Sequence, residues 1–255
     1  MYDQYYVWDE PVPYKGLKLY PITMRDYLYF NSIVQCLTLN KNQQVGDDIK
    51  RIAKVIKMSY LDYLYFLASE ENDDFPWTML MYLFTMVLHD QKFEFRMDED
   101  GKIFFVIEGV EEIYTSQDFD EIKRIIMEQN DIPIEEEILN PELEEDLKRA
   151  KELKKRLSNM NSATFEELIV IVLMYTGLDK NTIKDMTIRT FNKLVDRMSV
   201  FEDYKVYKGA EVSGMVTFNK PITHWMSKII KEGYYDDVKL DKNTMDEKLK
   251  DVAKT

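Results

Sequence analysis

The chain has 255 residues, 45% hydrophobic and 13% aromatic, enough apolar material for a packed core, which excludes disorder over most of its length. Its formal net charge of -13 disfavours binding to polyanionic nucleic acid and to anionic membrane surfaces, where affinity comes from Lys and Arg. A single cysteine, Cys36, excludes an internal disulfide framework, and only 8 Gly and 7 Pro argue against a turn-rich all-β fold.

In chain order, residues 2–22 hold Tyr2, Tyr5, Tyr6, Trp8, Tyr14 and Tyr20 among Pro11, Pro13 and Pro21. Proline fixes φ and removes a donor, so this stretch reads as an extended aromatic arm with a short strand near Leu17–Tyr20. Such an arm docks onto its own domain or onto a neighbouring subunit. Thr23, with Asp26 three residues on, opens a helix from about Met24 to Leu39. Cys36 lies in its apolar run and reads as a buried structural thiol. A second helix covers about Asp48–Met58, a third Ser59–Ala68, and Pro76 opens a fourth carrying Trp77, Leu80, Met81, Phe84 and Leu88.

The apolar period then changes from helical to alternating. Lys92–Met97 and Lys102–Glu108, joined by Asp98-Glu-Asp-Gly101, form a β-hairpin, with a third short strand at Glu112–Thr115. Ser116 or Asp118 caps a helix from Phe119 to Gln129. Residues 131–146 read as an acidic linker, since 135–146 carries seven acids and no base. A charged helix follows to about Leu157, with a narrow seam of Leu143, Leu147, Ala150, Leu153 and Leu157.

Thr164-Phe-Glu-Glu167 is a capping box, and the apolar helix behind it, Phe165–Tyr175, should be central to a C-terminal core and end at Gly177. Further helices start at Asn181 or Thr182, and at Thr187 to run to about Phe201. Pro221–Met226 opens a last short helix, and residues 231–255 read as a polar tail. The fold class is therefore mainly α with a small antiparallel hairpin. It divides into an α+β domain (1–130), the linker (131–146), an all-α domain (147–230) and the tail.

No Gly-rich phosphate loop occurs, and His89 and His224 are too few for the usual zinc ligand sets or a recognisable triad. The sequence therefore predicts no enzyme, no cofactor and no metal. The N-terminal residues have neither a basic nor an apolar signal-peptide region, and the apolar runs are short of the roughly 20 residues a bilayer requires, so the chain reads as cytoplasmic. Residues 177–191 have helix–turn–helix spacing, with Lys180, Lys184, Arg189, Lys193 and Arg197 set against Asp179, Asp185 and Asp196. Fifteen methionines fit core filling or a surface that adapts to apolar partners. The residues singled out for partner binding are Tyr5, Tyr6, Trp8, Met174, Tyr175, Met215, Trp225 and Met226.

Two stretches carry a family resemblance: residues 14–28, YKGLKLYPITMRDYL, and residues 204–218, YKVYKGAEVSGMVTF, followed by PITHWM at 221–226. With the intervening hairpin and helix at 92–129, they resemble proteins encoded among the tail-morphogenesis genes of tailed phages of Gram-positive bacteria. Within that group the character is similar to the tail assembly chaperones. The resemblance implies a protein that coats the apolar tape-measure protein, helps recruit tail-tube subunits and is absent from the finished virion. It carries over no binding residue. A structural tail or baseplate component, in which the aromatic arm of residues 2–22 exchanges between subunits of a homo-oligomer, and a nucleic-acid-binding regulator using residues 164–200 are the other readings.

Overall fold

The computed structural model describes residues 2–41, 54–70, 74–134, 146–147, 149–153, 163–214, 216–218 and 221–229. Among the described residues the fold is mixed α and β, with two small antiparallel sheets and a helical region over 165–212. Residues 1–134 and 165–225 form one compact unit; residues 135–164 and 226–255 are assigned to a second.

The N-terminal stretch is not an extended arm, although the short strand expected near Leu17–Tyr20 is present. It folds into a helix α1 (Asp3–Val7) and a hairpin of β1 (Val12–Tyr14) and β2 (Leu17–Leu19). Lys15 and Gly16 turn that hairpin with positive φ, and a Cβ at Gly16 would meet Val110 at 3.2 Å. Tyr6, Val12, Leu17 and Leu19 enter the core, so the segment docks on its own unit.

The helix expected over 24–39 is broken into a 3-10 turn (Met24–Asp26), α2 (Tyr27–Ile33) and a second 3-10 turn (Val34–Leu37). Cys36 lies in the last and is fully buried. Of the next expected helix, residues 54–57 are helical and the part before residue 54 lies outside the described residues. Helices α3 (Tyr60–Glu70) and α4 (Phe75–Leu88) follow as the periodicity predicts, α3 started by Ser59 Oγ accepting from Asp62 N at 3.1 Å.

The three-stranded sheet has the order β3 (Phe93–Met97), β4 (Ile103–Ile107), β5 (Ile113–Tyr114), with Phe95 opposite Phe105 and Phe105 opposite Tyr114. Its inner face packs on α4 through a ring cluster: Phe84 lies 5.4–5.9 Å from Phe93, Phe95, Phe105 and Phe119. Helix α5 (Ser116–Gln129) supplies Phe119, and its N-cap is Thr115 rather than the expected Ser116 or Asp118. Asp118 sits at N3 and completes a capping box.

Three helices close the compact unit: α6 (Phe165–Thr176), α7 (Lys180–Asp185) and α8 (Ile188–Val212). Asp179, not Asn181 or Thr182, caps α7 by accepting from both of their amides. Helix α8 runs eleven residues past the expected end at Phe201, about 37 Å in all. Residues 221–226 form turns and irregular chain rather than a helix.

The sequence places residues 147–230 in a domain of their own; in the structure residues 165–225 belong to one compact unit with the first 134. Thr23 and Thr187 form an antiparallel bridge, with Met24 N donating to Met186 O (2.8 Å) and Ile188 N to Ile22 O (2.9 Å). Tyr27 stacks on Phe165 at 4.6 Å. The Asp9 carboxylate accepts from the Thr187 and Thr190 hydroxyls at the start of α8, an end that favours negative charge. Outside the compact unit, residues 146–147 and 149–153 are helical, and the rest of the expected seam helix, the remainder of the acidic linker and the tail lie outside the described residues.

Candidate interaction surface

Helix α6 has the sequence FEELIVIVLMYT, apolar on every face beyond its first turn. Phe165, Leu168, Ile169, Val172 and Leu173 recur at helical spacing and pack inward, Val172 completely. Among the described residues the neighbouring elements cover one stripe. On the other side Val170, Ile171 and Tyr175 are 47%, 43% and 41% exposed, and Met174 is 81% exposed. The expectation that this helix lies at the centre of a core is thus corrected: it lies at the edge of one, with an apolar outer face. Contiguous exposed apolar surface of this kind is a candidate docking face.

At its C-terminal end the face meets α8. Lys205 Nζ lies 3.4 Å from the Tyr175 hydroxyl and 4.8 Å from the centre of the Phe201 ring, and it pairs with Glu202 at 2.5 Å. Phe201, Tyr204 and Tyr207, one helical turn apart, receive the returning chain in antiparallel order. Trp225 lies 5.0 Å from Phe201, His224 5.1 Å from Tyr204, and Phe218 5.8 Å from Tyr207. Arg197 donates to the Trp225 carbonyl and pins the end of this ladder.

The residues expected to bind a partner divide accordingly. Met174 and Tyr175 lie on the exposed face, and Trp225 adjoins it through Phe201, half-buried. Tyr5 is packed against the core, and Tyr6 is buried, its hydroxyl donating to Glu128 at 3.0 Å beneath the Arg189 guanidinium. Tyr6 is therefore structural. Trp8 is 74% exposed on the first turn after α1, and Met226 is 68% exposed in the second unit. Met215 lies outside the described residues. Sequence reasoning missed Val170 and Ile171, which read as core in an apolar helix, and the three-residue spacing of Phe201, Tyr204 and Tyr207.

The most perturbed carboxylate among the described residues serves the fold. Asp118 is buried, which raises its pKa, but Lys15 (2.6 Å), the Tyr14 hydroxyl (2.7 Å) and the Thr115 amide and hydroxyl (2.9 Å each) pull it down to about 2. Those donors leave it committed to joining the first hairpin to α5. His89 has positive φ and stacks on Tyr20 at 4.1 Å. It borders a 510 Å³ groove with Arg25, Asp26 and Asp185, where Arg25 and Asp185 pair at 2.6 Å. No helix among the described residues is long and apolar enough to cross a membrane.

Residues 154–230, 77 of the 255, match the family model described as the YomV second domain. That stretch contains α6, α7, α8 and the returning chain. No curated protein and no solved structure matches the chain.

Proposed function

We propose that this chain is a non-catalytic tail assembly chaperone that shields an apolar helical tape-measure protein and assists assembly of the tail tube. The observation that carries the reading is the outer face of α6, where Val170, Ile171, Met174 and Tyr175 stand exposed side by side on one helix. Such a face suits an amphipathic or apolar helix, and a flexible methionine at its most exposed point adapts to varied side chains. The match of the surrounding residues to the YomV second domain and the resemblance to tail-morphogenesis proteins support a phage-related protein. A net charge of -13 keeps the protein and an apolar cargo dispersed in the host cytoplasm.

The charge distribution speaks against the nucleic-acid reading. Arg189 donates to Glu128 O, Lys193 pairs with Asp131 at 3.1 Å, and Arg197 holds the Trp225 carbonyl. Three of the five cations of the helix–turn–helix stretch are thus engaged within the protein.

Co-expression with the tape-measure and tail-tube proteins tests the proposal. The chain should co-purify with the tape-measure protein and keep it soluble, and mass spectrometry of finished particles should not find it. Failure to bind either protein removes the reading. Stoichiometric presence in particles replaces it with a structural tail component.

A further inference from the structure

Strand β3 is an edge of its sheet, and its free side is built for a second copy of itself. Asp98 N donates to Lys102 O at 3.0 Å and Glu108 N to Lys92 O at 2.9 Å, which fixes the parity of the ladder. The even-numbered residues of the strand face β4 with their backbone groups. Phe93, Phe95 and Met97 therefore direct their N–H and C=O groups outward, and nothing among the described residues pairs with them. Beside this edge lies an open, mostly apolar groove of 480 Å³ whose lining includes Trp77, Phe93, Phe95 and Met97 together with Glu94 and Arg96. An edge with such a flank attracts a further strand.

The side chains select the partner. Alternate residues share a face, so Lys92, Glu94, Arg96 and Asp98 stand in a row with signs plus, minus, plus, minus. We propose that two copies pair antiparallel through β3 across a two-fold axis at Phe95, joining two three-stranded sheets into one of six. In that register Glu94 of each copy lies opposite Arg96 of the other, and Lys92 opposite Asp98. The Glu94–Arg96 positions form non-hydrogen-bonded pairs, the closer of the two kinds. On the other face Phe95 meets Phe95 and Phe93 meets Met97, which is 47% exposed in the single chain, beside the aromatic groove.

The neighbouring registers are blocked by the same row. Centring the axis on Glu94 sets Glu94 against itself and Lys92 against Arg96. Centring it on Arg96 sets Arg96 against itself and Glu94 against Asp98. Like charges directly opposite destabilise a ladder, so among these three registers the row favours pairing about Phe95. In the isolated chain Glu94 and Arg96 pair along the strand at 2.6 Å, and Lys92 pairs with Glu108 at 2.9 Å. These exposed contacts are weak enough to re-form across the axis.

Sedimentation of the full chain over a concentration series, with circular dichroism as the check on folding, tests this surface. The native chain should show a reversible monomer–dimer equilibrium. Glu94→Arg alone and Arg96→Glu alone each turn two attractive pairs repulsive and should weaken dimerisation about ten-fold or more. The double variant E94R/R96E restores the alternation and should dimerise like the native chain. An equimolar mixture of the two single variants should form heterodimers, because each supplies the sign the other needs. A native chain that stays monomeric at every concentration overturns the proposal. So does a dimer indifferent to the single substitutions, or one that the double substitution and the mixture fail to restore.

Discussion

Asp118 shows how single residues set the chemistry of this protein. Its carboxyl sits near 2 in the folded chain against an ordinary 3.8, so the folded state binds its proton less readily than the unfolded state. Its contribution, about 2 kcal/mol, is complete above about pH 4 and is lost as pH falls toward 2. Asp118→Asn should lower stability by about 1–3 kcal/mol at pH 7 in urea unfolding, and the loss should shrink when the titration is repeated near pH 3. Cys36 gives a second test: burial pushes its thiol up to about 12, so a thiol reagent should label it only on unfolding. Both residues were partly legible in the sequence. The apolar surroundings of Cys36 point to burial, whereas the partners of Asp118 at Tyr14 and Lys15 lie more than 100 residues away, and no local pattern announces them.

At the scale of elements, the hairpin at 92–108 and helices α3, α4 and α5 are legible because their alternation or helical period and, for α4, the proline at its start agree with the folded result. Other elements were legible only in part. Residues 2–22 read as extended because prolines and aromatics obscure a five-residue helix, and the hairpin turn at Lys15-Gly16 is short. Residues 202–212 read as lying beyond the helix because Gly209 and mixed polarity weaken the period. There α8 continues because Phe201, Tyr204 and Tyr207 gain partners from the returning chain. Trp225→Ala removes the largest ring of that ladder and should cost about 2–4 kcal/mol, less than a full core truncation because the ring is half-buried. Hydrogen exchange should show the loss concentrated in residues 197–212.

For the whole molecule, the central fact is that residues 165–225 share a compact unit with residues 1–134. The composition break at 131–146 suggests a boundary, but composition cannot report the Thr23–Thr187 bridge or the Asp9 carboxylate at the start of α8. Asp9→Ala should lower stability by about 1–2 kcal/mol while leaving one cooperative transition for the unit, measured by tyrosine and tryptophan signals that coincide. That packing covers one stripe of α6 and leaves Val170, Ile171, Met174 and Tyr175 outside. The most direct measurement is therefore capture of the co-expressed tape-measure protein by the native chain and by Met174→Glu combined with Ile171→Glu. Both positions are exposed, so the fold should persist while soluble tape-measure protein falls at least about ten-fold. Undiminished capture by a folded double variant would contradict the assignment of this face.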